Sequence, residues 1–235
     1  MYASSPTQPV PVITLDDDRR RTFMIRVYQH IALALAVFVG LEAALFTGGI
    51  AEMLFEFFFL GDSGATWLLM LGGVMVVNWF AGQAVADLAN IGRQYMGLFA
   101  IAAAQSVIFA PFLYYIFTYE GTAPVINAAV ITGIGFAVLS VIGLTTAKDL
   151  SFMRGIIMWG FGLALVAIVG ALLFGFNLGT WFSVAMIGLA GGAILYQTQQ
   201  ALRHYPEEAY VAAAAGLFAS IMTMFWYVLR LLTRR

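Results

Sequence analysis

Residues 153–175 read MRGIIMWGFGLALVAIVGALLFG, an apolar run whose one charged residue, Arg154, stands at its start. A helix that crosses the hydrocarbon core of a bilayer needs about 20 predominantly apolar residues. The run has that length, and it lacks the alternation of polar and apolar residues that is typical of a half-buried strand. This stretch therefore predicts a transmembrane helix.

The rest of the chain repeats this pattern. Of its 235 residues, 62% are hydrophobic and 10% are charged, and the mean hydropathy is +0.91. A soluble domain carries roughly 25% charged residues, so an ordinary soluble protein is excluded. The sequence predicts an all-α membrane protein with seven transmembrane helices, at residues 26–46, 66–84, 96–118, 124–145, 153–175, 179–200 and 209–232.

Residues 1–21 differ in composition from the remainder of the chain. They contain three prolines and an aspartate run, 16–18, followed by an arginine run, 19–21. Few large apolar groups stand among them, so we expect a disordered cytoplasmic arm at 1–21 and a seven-helix domain at 22–235. The aspartates are suited to capping the helix that follows them.

Lysine and arginine are distributed unevenly among the segments between the spans. Every second segment carries them, and the segments in between carry none, which predicts a cytoplasmic N-terminus by the positive-inside rule. Arg234 and Arg235 contradict an odd number of spans, so the side of the C-terminus stays open. The remaining orienting residues are Arg19, Arg20, Arg21, Arg26, Arg93, Lys148 and Arg203.

Acidic residues occur in and near the first span. Glu42 is expected near its outer end, as a solvated carboxylate or, alternatively, as a proton relay. Glu52 and Glu56 are four residues apart and share one face of a short helix, which we expect to lie in the membrane interface. Together with Asp62, these carboxylates could attract cations to the outer side.

Small residues recur at four-residue spacing in the later spans. Gly188 is followed by Gly192, and Ala212 by Gly216. This spacing stacks small residues on one helix face, where two backbones can approach closely. We expect these faces to pack inside the bundle. A dimer interface is the alternative, and the oligomeric state stays open.

The composition argues against several kinds of site. The chain has no cysteine, and His30 and His204 are its two histidines, so we expect no metal centre built on thiolates or histidines. Its scattered basic residues do not form the stripe that binds nucleic acid. No catalytic residues, no metal site and no cofactor are predicted, and the protein is not expected to be an enzyme.

Several short motifs occur in a recognisable order. The most specific is the loop LTTAKDLSFM at residues 144–153, and GAILYQT at 192–198 and LRLL at 229–232 follow it. Earlier pieces are RVY at 26–28, YMGLF at 95–99 and VIFAP at 107–111. From about residue 20 to residue 232, the chain resembles the Bax inhibitor-1 family, and most closely its bacterial YccA-like branch.

The resemblance implies a fold in which the last helix is central and the other six surround it. Many family members carry two facing aspartates that share a proton, at the positions that match Gln197 and Ser220 here. That pair is implicated in a proton-dependent calcium leak, and neither residue can titrate in this chain. The family arginine of the last helix matches Arg230, without those acidic partners.

Two functions follow from the resemblance. YccA-like proteins are associated with the membrane-anchored protease FtsH, which implies a regulatory protein of the bacterial inner membrane whose cytoplasmic arm the protease engages. The alternative is a cation leak, above all for calcium, which has lost its pH-sensing pair. The lipid bilayer is an expected partner, and such a protease is the partner that the first function implies.

Overall fold

A computed structural model of the chain describes residues 10–60 and 64–233, except for the side chains of residues 60, 64–68 and 71. Asp62, Arg234 and Arg235 lie outside the described residues. Short 3₁₀ turns occur at Val12–Thr14 and Glu207–Ala209, and a π-helical turn at Glu56–Leu60 continues α2. The α-helices are α1 (Asp17–Thr47), α2 (Ile50–Phe55), α3 (Gly64–Val85), α4 (Ile91–Tyr119), α5 (Ala123–Thr145), α6 (Met153–Phe174), α7 (Gly179–Arg203) and α8 (Tyr210–Leu232).

Each of the seven predicted spans coincides with one of the long helices. By length and composition of the described residues, six of these helices, α1 and α4 to α8, could cross a membrane. The helix α3 coincides with the predicted second span at 66–84. The chain is therefore an all-α, multi-pass membrane protein.

The first helix begins before the predicted end of the arm at residue 21. The side chain of Asp16 accepts a hydrogen bond from the N–H of Arg19 at 2.8 Å, so the predicted capping by the aspartate run is confirmed. Val12 is fully buried, and its N–H donates to the carbonyl of Tyr205 at 2.9 Å. The cap and this contact place residues 10–21 in the folded domain, and residues 1–9 lie outside the described part.

The last helix contributes most to the interior of the bundle. It contacts α1, α4, α5 and α7. Of its most apolar window 67% is buried, against 6% for α6. Three consecutive alanines at 213–215 are followed by Leu217 and Phe218, and all five residues are buried. Side chains on α8 are therefore shielded from the surface over much of its length.

The segments that carry the orienting residues meet at one end of the bundle. Arg203 donates to the carbonyl of Ala147 at 2.7 Å, which ties the end of α7 to the loop before α6. Arg19 pairs with Glu207, which ties α1 to the turn before α8. The N-terminal ends of α1, α6 and α8 therefore share this end, which we call the N-terminal end of the bundle.

Candidate functional site

The two positions at which the resemblance places an aspartate pair lie on neighbouring helices. Gln197 is on α7 and is half-buried, and Ser220 is on α8 and is buried. The Ser220 hydroxyl donates to Oε1 of Gln197 at 3.0 Å. A Cβ built on Gly216, one turn earlier on α8, would lie 3.7 Å from the same oxygen. The structure thus brings the predicted pair together through one hydrogen bond.

This pair joins α7 to α8, and neither of its two side chains is titratable. A carboxamide and an aliphatic hydroxyl are both neutral across the physiological pH range. A buried hydrogen bond between neutral groups contributes about 1 kcal/mol. The arrangement can therefore stabilise the contact of α7 with α8, and it cannot bind or release a proton.

Arg230 lies away from this pair. It follows Ser220 by ten residues on α8, a rise of about 15 Å along a helix. It lines a cavity of about 930 Å³ together with Glu120 at the end of α4. The structure therefore does not bring the third predicted family position to the other two.

Glu42 is buried, so its prediction as a solvated carboxylate is wrong. Its side chain is 7% exposed, and neither carboxylate oxygen has a hydrogen-bond partner among the described residues. Aromatic residues one turn away on each side pack against α4, with Phe38 on Phe109 and Phe46 on Phe117, each at a centroid distance of 5.5 Å. The carboxylate therefore lies on the face of α1 that packs against α4.

The other two predicted acids lie in the helical segment that follows. Glu52 is on α2 and Glu56 opens the π-helical turn, and both are exposed. Ala51 and Phe55 of the same segment are buried. The predicted short helix is confirmed, and the attraction of cations by these carboxylates stays a prediction.

The two glycines of α7 that are predicted to lie at helix contacts, Gly188 and Gly192, have different surroundings. A Cβ on Gly188 would meet no atom of a described residue within 4 Å, so the packing role expected for Gly188 is wrong. A Cβ on Gly192 would meet only Cε of Met153, at 3.3 Å, the end of a flexible side chain. Four-residue spacing defines a helix face, but the position of the neighbouring helix decides whether that face is in contact.

The closest helix approaches involve other glycines. A Cβ on Gly97 of α4 would lie 2.6 Å from the carbonyl oxygen of Ala81 on α3. A Cβ on Gly143 of α5 would lie 2.9 Å from the carbonyl oxygen of Leu195 on α7. On α8, the predicted residue Ala212 is half-buried against the main hydrophobic core.

Gln199 holds the loop between α5 and α6, a role that the sequence reasoning missed. Its Oε1 accepts from the N–H of Leu150 at 2.8 Å, and its Nε2 donates to the carbonyl of Lys148 at 2.7 Å. A weaker bond reaches the carbonyl of Thr146 at 3.3 Å. Its side chain is 2% exposed. The loop with the most specific motif of the chain is therefore fastened to α7 by this buried carboxamide and by Arg203.

Asp149 in the same loop is engaged locally. The Ser151 hydroxyl donates to Oδ1 of Asp149 at 2.6 Å, and the Ser151 N–H donates to the same oxygen at 2.9 Å. The hydroxyl bond, followed by the backbone bond, holds the pKa of Asp149 below its ordinary value. This carboxylate therefore stays ionised at neutral pH and is unsuited to proton transfer.

His30 links α1 to α4 at the N-terminal end of the bundle. Its Nδ1 lies 2.6 Å from the carbonyl oxygen of Arg26, and its Nε2 lies 2.7 Å from the hydroxyl oxygen of Tyr95. The ring of Tyr210 lies 4.9 Å away. These contacts give His30 an evident role in packing.

Two similarities to known proteins cover most of the chain. It is 31% identical over 146 residues to the uncharacterized protein PA2604 of Pseudomonas aeruginosa, a match that spans 61% of this chain and 65% of that protein. The sequence model of the family described as inhibitor of apoptosis-promoting Bax1 matches residues 20–235. Because that match takes in all the described helices except the first residues of α1, the chain belongs to the Bax inhibitor-1 family.

Proposed function

We propose that this protein is a regulatory protein of the bacterial inner membrane, of the YccA-like branch of its family. It acts in membrane-protein quality control and stress response as a modulator of an FtsH-type membrane protease, as its substrate, or as both. It has no enzymatic activity of its own in this proposal. The observation that carries it is the neutral hydrogen bond between Gln197 and Ser220, which leaves no titratable pair for a pH-gated leak at that position.

The proposed topology has seven spans, with α3 as the second of them and α8 at the centre. The contacts of α8 with α1, α3, α4, α5 and α7 support the central position. The meeting of the N-terminal ends of α1, α6 and α8 supports one shared side for the orienting residues. The positive-inside rule makes that side cytoplasmic.

In this role, residues 1–9 are the segment that the protease engages first. The next residues pack against the helix bundle. Val12 is buried, and its N–H donates a hydrogen bond to the carbonyl of Tyr205. The pair of Arg19 with Glu207 lies just behind this contact. A protease that pulls on the N-terminus has to break these contacts of Val12 and Arg19 before it reaches the first span. In this proposal, the stability of these contacts sets the rate of turnover.

We expect Val12→Asp to shorten the half-life of the protein several-fold in cells that contain the protease. A buried charge without a partner is unfavourable, so the substitution should detach this segment from the helix bundle. Deletion of residues 2–9 is expected to lengthen the half-life. Ile13→Asp is the matched control, since Ile13 is 39% exposed, and it should leave turnover unchanged. Pulse-chase measurements with and without the protease check all three.

Equal half-lives of the full-length and truncated chains would contradict the substrate role. Affinity capture from native membranes in mild detergent tests the modulator role. Recovery of the FtsH-type protease with the full chain is the expected result. Its absence from the captured material, at expression levels that give detectable bait, would contradict a direct interaction.

The alternative function is a cation leak of the Bax inhibitor-1 type. One observation favours it: Glu42 is a buried carboxylate whose oxygens have no hydrogen-bond partner among the described residues. If the unmodified protein conducts calcium, loss of that flux in Glu42→Gln would assign the pathway to this side chain. Flux that is unchanged by this substitution would exclude Glu42 from it.

A further inference from the structure

A cavity of about 930 Å³ lies between α4, α6 and α8. Its volume is at the upper end of the roughly 300–1,000 Å³ that is typical of small-molecule sites. Among its lining residues, Tyr115 of α4 and Leu165 of α6 are each 41% exposed. The cavity is therefore open rather than sealed within the bundle.

One end of the cavity is mostly apolar. Phe109, Ile168 and Met186 line it, together with Trp226 of α8, and the lining also includes the polar side chains of Gln105 and Thr223. A wall made mainly of aromatic and aliphatic carbon offers few oxygen ligands to replace the hydration shell of an ion. It suits an acyl chain, which a bilayer supplies at high concentration.

The opposite end of the cavity carries charges of both signs. Glu120, Gly175 and Thr233 line it, and each follows the C-terminus of its helix, α4, α6 and α8 respectively. Helix C-termini carry partial negative charge and attract cations, and the Glu120 carboxylate adds to this field. Arg230, on the last turn of α8, supplies a guanidinium to the same cavity.

We propose that this cavity binds one zwitterionic phospholipid with a phosphoethanolamine head. An acyl chain occupies the apolar part, the phosphate lies against Arg230, and the ammonium lies toward Glu120 and the three helix C-termini. A guanidinium matches the geometry of phosphate oxygens, and a primary ammonium needs acceptors, which carboxylate and carbonyl oxygens supply. An anionic lipid would also bring a phosphate to Arg230, but its head would offer no cation to the Glu120 carboxylate.

Native mass spectrometry of the purified full chain tests this proposal. The protein is incubated with dioleoyl phosphatidylethanolamine, with dioleoyl phosphatidylglycerol, and with glycerophosphoethanolamine, which has the head but no acyl chains. We expect retention of one phosphatidylethanolamine per chain, preferred roughly tenfold over phosphatidylglycerol, and no retention of the chainless head. Equal retention of the two lipids, or binding of the chainless head at the same concentration, would overturn the proposal.

Paired variants locate the site. Ala171→Trp on α6 fills the cavity that Ala171 lines, whereas Leu173→Trp adds similar bulk at a position that is 63% exposed. We expect the first to abolish retention and the second to keep it. Equal retention in the two would overturn the location.

Charge variants test the head without adding bulk. Glu120→Gln should remove the preference for phosphatidylethanolamine. Arg230→Gln should lower retention of both lipids, while Arg154→Gln, an exposed arginine outside the cavity, should not. A preference that survives Glu120→Gln, or equal effects of the two arginine substitutions, would overturn the assignment of the head.

Discussion

Gln199→Leu is expected to lower the stability of the bundle by about 1–3 kcal/mol. The substitution leaves the buried N–H of Leu150 and the carbonyl of Lys148 without the partners that Gln199 supplies at 2.8 and 2.7 Å. Each buried polar group that loses its partner costs roughly 1–3 kcal/mol. Thermal unfolding in detergent should show a lower midpoint, and hydrogen exchange should accelerate in residues 146–152.

Gln200→Leu is the control for this substitution. Gln200 is the next residue on α7 and is half-buried, and its side chain makes no hydrogen bond to the described residues. Gln200→Leu removes a carboxamide from the same helical turn without breaking such a bond. The unfolding midpoint of this variant should therefore stay close to that of the unmodified protein. Equal midpoints for the two variants would show that the carboxamide of Gln199 does not fasten the loop.

Gly97→Ala is expected to destabilise the contact of α3 with α4. The added Cβ would lie 2.5 Å from Cγ2 of Val85 and 2.6 Å from the carbonyl oxygen of Ala81. The second contact is with backbone, so it can be relieved only by moving one helix away from the other. Overpacking of this kind costs about 1–3 kcal/mol, measured as a fall in the unfolding midpoint in detergent.

Gly188→Ala provides the opposite expectation for the same chemical change. Within the part of the chain that the structure describes, its Cβ would meet nothing within 4 Å. Alanine is favoured over glycine in a helix by up to about 1 kcal/mol, so this variant should be as stable as the unmodified protein or more so. A drop as large as that of Gly97→Ala would mean that the face of α7 at Gly188 is packed after all.

The helices could be predicted because their determinants are local. An apolar run of about 20 residues has few alternatives to a transmembrane helix, and Asp16 could be recognised as part of a cap from the aspartates before the first span. The hydrogen bond between Gln197 and Ser220 followed from motif order, since family positions fix which residues face one another. The helices and the cap depend on residues that are neighbours in the sequence. The Gln197–Ser220 pair depends on the match to the family motifs.

The rest depends on which helix lies beside which. The position of Glu42 near the end of a span favours solvent, whereas the packing of α1 against α4 places its side chain in the interior. Spacing pointed to Gly188, whereas the close approach is at Gly97. For Gln199 a signal was present: three glutamines, Gln197, Gln199 and Gln200, end an otherwise apolar helix. Its partners lie about 50 residues earlier and could not be found from that signal.

We propose that the protein acts by binding, because a neutral hydrogen bond joins Gln197 and Ser220 at the two positions where the family resemblance implies a proton-sharing pair that gates a leak. Calcium flux into dye-loaded liposomes at pH 6 and at pH 8 tests it most directly. A variant that combines Gln197→Asp with Ser220→Asp serves as comparison, because two carboxylates at these adjacent positions should introduce pH dependence. For the unmodified protein, we predict no flux above that of empty liposomes at either pH. A clear flux that changes between the two pH values would contradict the claim.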